Sequence, residues 1–263
     1  MISIKTLQEK KNKAEPIVAL TAYDALLAAI FDEAGVDLLL VGDSLGMVVY
    51  GYDTTVPVTM EMMLAHTTAV ANGVNNSLII SDMPFGSYHK SIQDSLKNAI
   101  SLLRAGAKGV KVEGASEFVL SVIRRMVEAG IMVVGHLGFT PQQVNRIGGN
   151  LVQGKNESSA QKIIDDAISL QDAGASLLFL EMVPEELTAK ITSKLNIPTI
   201  GIGAGNACDG QVLVAQDMLG MFTKFKPKFV KRYANLADDI KDAVLSYKKE
   251  VMSKEFPSEE NTF

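Results

Sequence analysis

Residues able to share one piece of chemistry stand at the ends of short apolar runs. Asp43 and Ser44 follow "LLLVG", Asp82 follows "LIIS", Lys111 and Glu113 lie within "VKVE", His136 follows "VVG", and Glu181 ends "LLFLE". Asp43, Asp82, Glu113 and Glu181 are carboxylates, and carboxylates gathered into one cavity repel each other and resist desolvation. A cation, protons or basic partners must compensate. An all-oxygen donor set favours a hard divalent ion, Mg²⁺ or Ca²⁺, and there is no cluster of thiols or histidines to select zinc. Such a site suits proton removal beside a carbonyl: the metal polarises the carbonyl oxygen and stabilises an enolate, while a separate carboxylate takes the proton. Glu181 is the candidate base, because burial at the end of so apolar a strand would strengthen it. Lys111 and Glu113 are separated by one valine and point to the same side of a strand. Lys111 then either offers positive charge to a substrate carboxylate or enolate, or is simply paired with Glu113.

A competing chemistry is written in Gly42-Asp-Ser-Leu-Gly46, which fits the G-x-S-x-G elbow of serine hydrolases. An activated serine needs a histidine base oriented by a carboxylate. The only histidines are His66, His89 and His136, and none follows His136, where that hydrolase order would require one. The hydrolase match is therefore weak, and the rest of the chain must decide what Asp43 and Ser44 do. His66 falls within the helical stretch 61–73 and reads as structural, and His136 as either a substrate donor or a packed core residue. "GIGAG" at 201–205 lacks the full dinucleotide-loop spacing, since position 206 is Asn.

The elements that must position these groups alternate. Eight nearly continuous apolar runs read as strands: 17–22, 38–42, 78–81, 110–113, 131–136, 177–181, 199–203 and 212–215. Continuous apolarity implies burial on both faces, as in a parallel sheet. Between most of them lie stretches with helical spacing, such as Ile92, Leu96, Ala99 and Leu103, or Ile163, Ala167 and Leu170. "EAGVD", "RAGAK", "EAGIM" and "DAGAS" each place Gly just past a helix end, where a left-handed residue is needed. Eight strands alternating with helices over this length fit a single α/β domain, a (β/α)8 TIM barrel spanning 1–263, ahead of a doubly wound open sheet. Catalytic groups of such a barrel gather at the C-terminal strand ends, where each of the residues above stands. A short N-terminal helix should open at the Thr6-x-x-Glu9 capping box, and a last helix should run 231–251, followed by a frayed tail at 253–263. The Gly-rich loop 145–158 is either a mobile segment over the site or a surface insertion, and loop 44–59 is similarly long.

Composition narrows the partners. A net charge of −5 argues against a surface built to neutralise nucleic-acid phosphates. The single cysteine, Cys208, excludes an intrachain disulfide and has no metal-ligand spacing. No apolar run approaches the roughly 20 residues of a membrane helix, and no basic-then-apolar leader opens the chain, so a soluble cytoplasmic protein is expected.

Longer stretches carry a resemblance. "LTAYD", "VGDSLGMVVYG", "DMPFGSYH", "VKVEG", "GHLGFTPQ", "LEMVP", "GIGAGNACDGQVLVAQDMLG" and "PKFVKRYA" run in order from residue 20 to 234 and resemble the ketopantoate hydroxymethyltransferase family. The resemblance implies a Mg²⁺-dependent barrel enzyme of pantothenate biosynthesis. Such an enzyme adds a hydroxymethyl group from 5,10-methylenetetrahydrofolate to 3-methyl-2-oxobutanoate through a Mg-stabilised enolate, giving 2-dehydropantoate. Carried over, Asp43 and Ser44 bind the keto acid, with Asp82 and Lys111 also contacting it. Asp43, Asp82 and Glu113 serve the metal, and Glu181 is the proton acceptor. The resemblance further implies a homo-oligomer, often a decamer. A lyase or mutase of the phosphoenolpyruvate-mutase and isocitrate-lyase type would share the barrel and the enolate chemistry without folate. A catalytically silent binding barrel would leave so many acids in one mouth unexplained.

Overall fold

The computed structural model describes residues 1–263. The chain falls into two compact units, Met1–Val214 and Ala215–Phe263. The first contains, in order, α1 (Ile4–Asn12), β1 (Ile17–Thr21), α2 (Ala25–Glu33), β2 (Leu38–Val41), α3 (Leu45–Val48), α4 (Met60–Gly73), β3 (Leu78–Asp82), α5 (Ile92–Arg104) and β4 (Gly109–Glu113). It continues with α6 (Glu117–Glu128), β5 (Met132–Gly138), a 3₁₀ turn (Pro141–Gln143), α7 (Val144–Ile147), α8 (Glu157–Asp172), β6 (Leu177–Glu181), α9 (Glu185–Lys194), β7 (Thr199–Ile202) and β8 (Gly210–Leu213). All eight strands pair in parallel with their neighbours in sequence, and β8 returns to β1 to close the barrel. The (β/α)8 expectation is met, and the open-sheet alternative is excluded.

The barrel is filled by the inward half of each alternating strand. Ile17 and Ala19, Leu38 and Leu40, Leu78 and Ile80, Leu177 and Phe179, with Val134, Ile200 and Val212, form one buried cluster. Leu7 of α1 joins this cluster and seats that helix at the end where the strands begin. Side chains two residues apart share a face. Continuing the same inward rows, Asp82 follows Ile80, His136 follows Val134, and Glu181 follows Phe179. The apolar floor thus passes into a charged upper layer at the C-terminal strand ends.

Local chemistry sets the element ends. Gly35, Gly106, Gly130 and Gly174 all take positive φ after their helices, at 83°, 117°, 82° and 99°, as the recurring "AG" pairs predict. The start of α1 differs: Ser3, not Thr6, is the N-cap, and Ser3 and Thr6 form the capping box. Strand β8 begins before the expected residue 212, because Asp209 anchors its start. The Asp209 carboxylate accepts from Thr199 N–H at 2.8 Å and from Lys11 at 2.8 Å, while its carbonyl accepts from Ile17 N–H. Strand β5 runs on to Gly138, which keeps pairing with Glu181.

The second unit holds α10 (Ala215–Met218) and α11 (Leu236–Ser253). Helix α11 starts later than the expected residue 231, because Tyr233 N–H donates to Met218 O and Arg232 Nη2 to Phe222 O, which ties residues 231–235 into a turn. A final 3₁₀ turn spans Glu259–Asn261 within the exposed C-terminal stretch. No helix is long and apolar enough to cross a membrane.

Candidate active site

Strand register, read around the barrel, brings the expected residues together. Asp82 pairs with Lys111, Glu113 with His136, and Gly138 with Glu181. Lys111 Nζ lies 3.1 Å from Asp82 Oδ1 and 3.9 Å from Glu113 Oε1. His136 Nδ1 lies 3.2 Å from Glu113 Oε1, and His136 Nε2 lies 3.3 Å from Glu181 Oε2. Asp43 joins from β2 by donating its backbone N–H to Asp82 Oδ2 at 3.0 Å. The result is one continuous row, Asp43–Asp82–Lys111–Glu113–His136–Glu181, across the ends of five strands. Gly138, at φ +95°, lets β5 run this close to β6, since a β-carbon there would collide with the carbonyl of Glu181.

All members of this row are buried except Glu181, whose side chain is 16% exposed and so faces the opening. Burial pushes the Asp43 carboxyl well above its usual range, and the charges of Asp82 and Glu113 push it further, against Lys111 and a hydrogen bond from Gln142. Burial also raises Asp82, although Lys111 and the Asp43 N–H oppose it. For Glu113 burial is outweighed by His136, Lys111 and the Gln142 N–H, which leave it below the usual carboxylate range. His136 loses to burial and to Lys111 but gains more from Glu113 and Glu181, and is raised to about 9. Lys111 is raised likewise, its carboxylate neighbours overcoming desolvation. Lys111 Nζ also lies 3.2 Å from His136 Nδ1, but Glu113 and Glu181 keep the ring protonated near neutral pH, so that nitrogen cannot accept and the ammonium pairs with Asp82. Two cations thus stand among four carboxyl groups, and a divalent ion would favour the ionised forms of Asp43 and Asp82 that burial and crowding oppose.

Asp82 Oδ1, Glu113 Oε1 and His136 Nε2 are buried yet make no well-directed hydrogen bond, only the ion-pair contacts just given. The two carboxylate oxygens among them can accept a ligand; the protonated nitrogen cannot. No three acid, histidine or cysteine side chains converge as a ready-made metal cage.

Ser44 stands beside the row rather than in it. Its hydroxyl shares a 2.8 Å hydrogen bond with Tyr23, and none of the three histidines serves it. His66 bonds the Tyr23 carbonyl and the Tyr50 hydroxyl, His89 accepts from Gly86 N–H, and His136 is held between Glu113 and Glu181. No hydrolase triad forms. The 145–158 segment begins within the single turn of α7, ends in the first residues of α8, and is tied down where Gln153 N–H donates to Met182 O, just past Glu181. "GIGAG" starts beside the end of the row, where Ile202 pairs with Glu181, and beyond it Asn206 N–H donates to Glu185 and Gln211 to the Gly205 carbonyl.

Two residues went unread in the sequence. Gln142, in the 3₁₀ turn after β5, donates to Asp43 Oδ2 at 2.8 Å, and Tyr88 donates to Gln142 Oε1 at 2.8 Å. Both lie inside resemblance-bearing stretches, "GHLGFTPQ" and "DMPFGSYH", which was the available signal.

Among solved structures, a 2,3-dimethylmalate lyase of the PEP mutase/isocitrate lyase superfamily matches with TM-score 0.63 at 15% identity, covering 100% of this chain and 92% of that one. A phosphonopyruvate hydrolase in complex with oxalate and Mg²⁺ matches with TM-score 0.62 at 13% identity, covering 99% and 93%. These likenesses show the barrel fold. The curated relatives are far nearer in sequence. The 3-methyl-2-oxobutanoate hydroxymethyltransferase of Syntrophus aciditrophicus (strain SB) is 52% identical over 263 residues, covering 100% of this chain and 96% of that protein. The enzyme of the same name from Caldicellulosiruptor bescii is 52% identical over 262 residues, covering 100% and 99%. With the family model for ketopantoate hydroxymethyltransferase matching residues 1–259, the chain belongs to that family.

Proposed function

We propose that this enzyme transfers a hydroxymethyl group from 5,10-methylenetetrahydrofolate to 3-methyl-2-oxobutanoate, giving 2-dehydropantoate and tetrahydrofolate on the route to pantothenate. The observation that carries the reading is the row from Asp43 to Glu181, with a buried lysine and imidazolium among its acids and its one partly open carboxylate at the end.

The donors fit Mg²⁺. They are hard oxygens, Asp43 and Asp82 are held above their usual range by burial and crowding, and Asp82 Oδ1 and Glu113 Oε1 lack a directed hydrogen bond. The lack of a three-ligand cage agrees with an ion commonly held by one or two carboxylates, with water and substrate completing its shell. Asp43 and Asp82 would hold it, with Glu113 beside them. When bound, Mg²⁺ supplies a Lewis acid for the substrate's keto oxygen.

The chain's own residues perform the remaining work. Lys111 offers its ammonium to the substrate carboxylate, and the Ser44 hydroxyl binds the same keto acid. Glu181 takes the proton from the branched carbon, and His136 holds that carboxylate in place through Nε2. The electron pair released at the branched carbon attacks the one-carbon unit of the folate to form the carbon–carbon bond; the two carbon–nitrogen bonds to folate break in turn, one water supplies the hydroxyl, and the two folate nitrogens take up one proton from the branched carbon and one from that water. The 52% identity to named relatives supports this chemistry over the folate-independent lyase reading.

The apolar stripe of α11, with Ile240, Val244 and Tyr247 at 49%, 58% and 57% exposure in the single chain, supports assembly into a homo-oligomer. The net charge of −5 accords with a protein that binds no nucleic acid.

The deciding experiment is proton NMR of 3-methyl-2-oxobutanoate in D₂O with the purified enzyme. Mg²⁺-dependent loss of the branched-carbon proton, followed by 2-dehydropantoate when methylenetetrahydrofolate is added, is the expected result. Carbon–carbon cleavage or rearrangement of a 2-oxo acid without folate, with no hydroxymethyl transfer, would favour the lyase or mutase reading instead.

A further inference from the structure

Gln142 touches more of the acidic row than any residue outside it. Its Nε2 donates to Asp43 Oδ2 at 2.8 Å and to the Met83 carbonyl at 2.9 Å, and its backbone N–H donates to Glu113 Oε2 at 3.1 Å. Its Oε1 accepts from the Tyr88 hydroxyl at 2.8 Å. That hydroxyl in turn accepts from the backbone N–H of Glu113 at 3.1 Å. The hydrogen bonds leave one self-consistent orientation. The Tyr88 oxygen receives the amide proton of Glu113, so its own proton goes to Gln142 Oε1, and Nε2 must then face Asp43. Gln142 is only 4% exposed and Tyr88 only 1%, so water cannot take over either role.

We infer that Gln142, oriented by Tyr88, is a positioning residue that fixes the carboxylate of Asp43 and the far oxygen of Glu113 for the metal and the keto acid. The inference rests on the metal and substrate roles proposed above. One residue of the turn after β5 thereby joins the ends of β2, β3 and β4, the strands that carry the ion-facing acids. Outer partners of this kind commonly contribute 10–100-fold to metal affinity or activity. Gln142 and Tyr88 make their hydrogen bonds to Asp43, Met83, Glu113 and each other and none to Glu181 or His136, so the proton-transfer step itself should be largely spared.

The test uses full-length Gln142→Met, which keeps the side-chain shape, and Tyr88→Phe, which removes one oxygen. Mn²⁺ affinity by titration calorimetry is measured beside KM and kcat for proton exchange of 3-methyl-2-oxobutanoate and the thermal unfolding midpoint. The expected result for Gln142→Met is a rise of about tenfold or more in both Mn²⁺ Kd and keto-acid KM, with kcat at saturation within about threefold of the wild type. Tyr88→Phe should move the same two constants in the same direction by a smaller factor, and the double variant should be no worse than Gln142→Met alone, because the pair acts as one unit. Where Gln142→Met does not fold, Tyr88→Phe carries the test alone. A lowered unfolding midpoint with Kd and KM within twofold of the wild type would make the pair merely structural and overturn the inference. A wild type that binds no Mn²⁺ would overturn the metal reading and this inference with it, whereas normal binding by wild type and variants alike would overturn this inference only.

Discussion

The imidazole of His136 reaches Glu181 Oε2 at 3.3 Å through Nε2, while its other nitrogen lies 3.2 Å from Glu113 Oε1. The ring therefore holds the candidate base by a contact that also engages the acids around the proposed ion. His136→Ala should slow proton exchange of the keto acid by about 10–100-fold, measured by NMR, since the carboxylate would lose its only cationic neighbour. Because the folded pKa of His136 is raised to about 9, its two ion pairs stabilise the fold fully below its unfolded value near 6.5. That stability is lost as pH rises through about 9. In chelator-treated protein, the unfolding midpoint of the wild type should fall between pH 7 and 10 more steeply than that of His136→Ala.

Lys111 is the one lysine in the row, 3.1 Å from Asp82 and 3.9 Å from Glu113. Removing one partner of a buried ion pair typically costs about 3–5 kcal/mol. Lys111→Met should therefore lose about 3 kcal/mol in urea unfolding at pH 8 without metal. The uncompensated acids would recover by taking up protons, so the deficit should shrink as pH falls towards 5. A deficit that is the same at both values would mean the acids do not depend on this ammonium.

Asp32 makes a prediction away from the site. Its carboxylate accepts from the N–H groups of Asn75, Asn76 and Ser77 and from the Ser77 hydroxyl, fastening the loop before β3 to α2. Burial opposes its ionisation, but these donors win and lower it to about 2. A depressed carboxyl contributes stability that is present above its unfolded value near 3.9 and lost as pH falls through about 2, worth about 2 kcal/mol. Asp32→Ala should be destabilised by at least that amount at pH 7, and its gap from the wild type should narrow between pH 4 and 2. An undiminished gap would point to packing instead.

These residues show where sequence reading works and where it stops. The strand-end row was legible because an inward residue recurs every second position, so the apolar floor from Leu78 and Ile80 points directly to Asp82. Lys111 and Glu113 were legible for the same reason. His136 was located but not assigned, because only register with Glu113 and contact with Glu181 give the ring its two partners. Gln142 and Tyr88 lie in loops with no periodicity, and their importance arises from hydrogen bonds across 99 and 54 residues of sequence. The late start of α11 was hidden too, since the turn made by Arg232 and Tyr233 depends on carbonyls earlier in that unit.

Ser44 tests the assignment from the hydrolase side. Its hydroxyl meets Tyr23 at 2.8 Å and no histidine, so nothing activates it. Ser44→Ala should raise the keto-acid KM by about 3–10-fold, the worth of one hydrogen bond, while keeping most of kcat. The wild type should resist labelling by a fluorophosphonate. A labelled Ser44, identified by mass spectrometry, would reopen the nucleophile reading.

The central claim is that Glu181 removes the proton from the branched carbon. It is tested most directly by NMR of 3-methyl-2-oxobutanoate in D₂O with Glu181→Gln and saturating Mg²⁺, alongside keto-acid binding by calorimetry. The account predicts near-normal binding with proton exchange slowed by about 10²–10⁴-fold, the usual contribution of a positioned general base. Exchange at the wild-type rate in a folded, substrate-binding Glu181→Gln would contradict it and pass the role to another group in the barrel mouth.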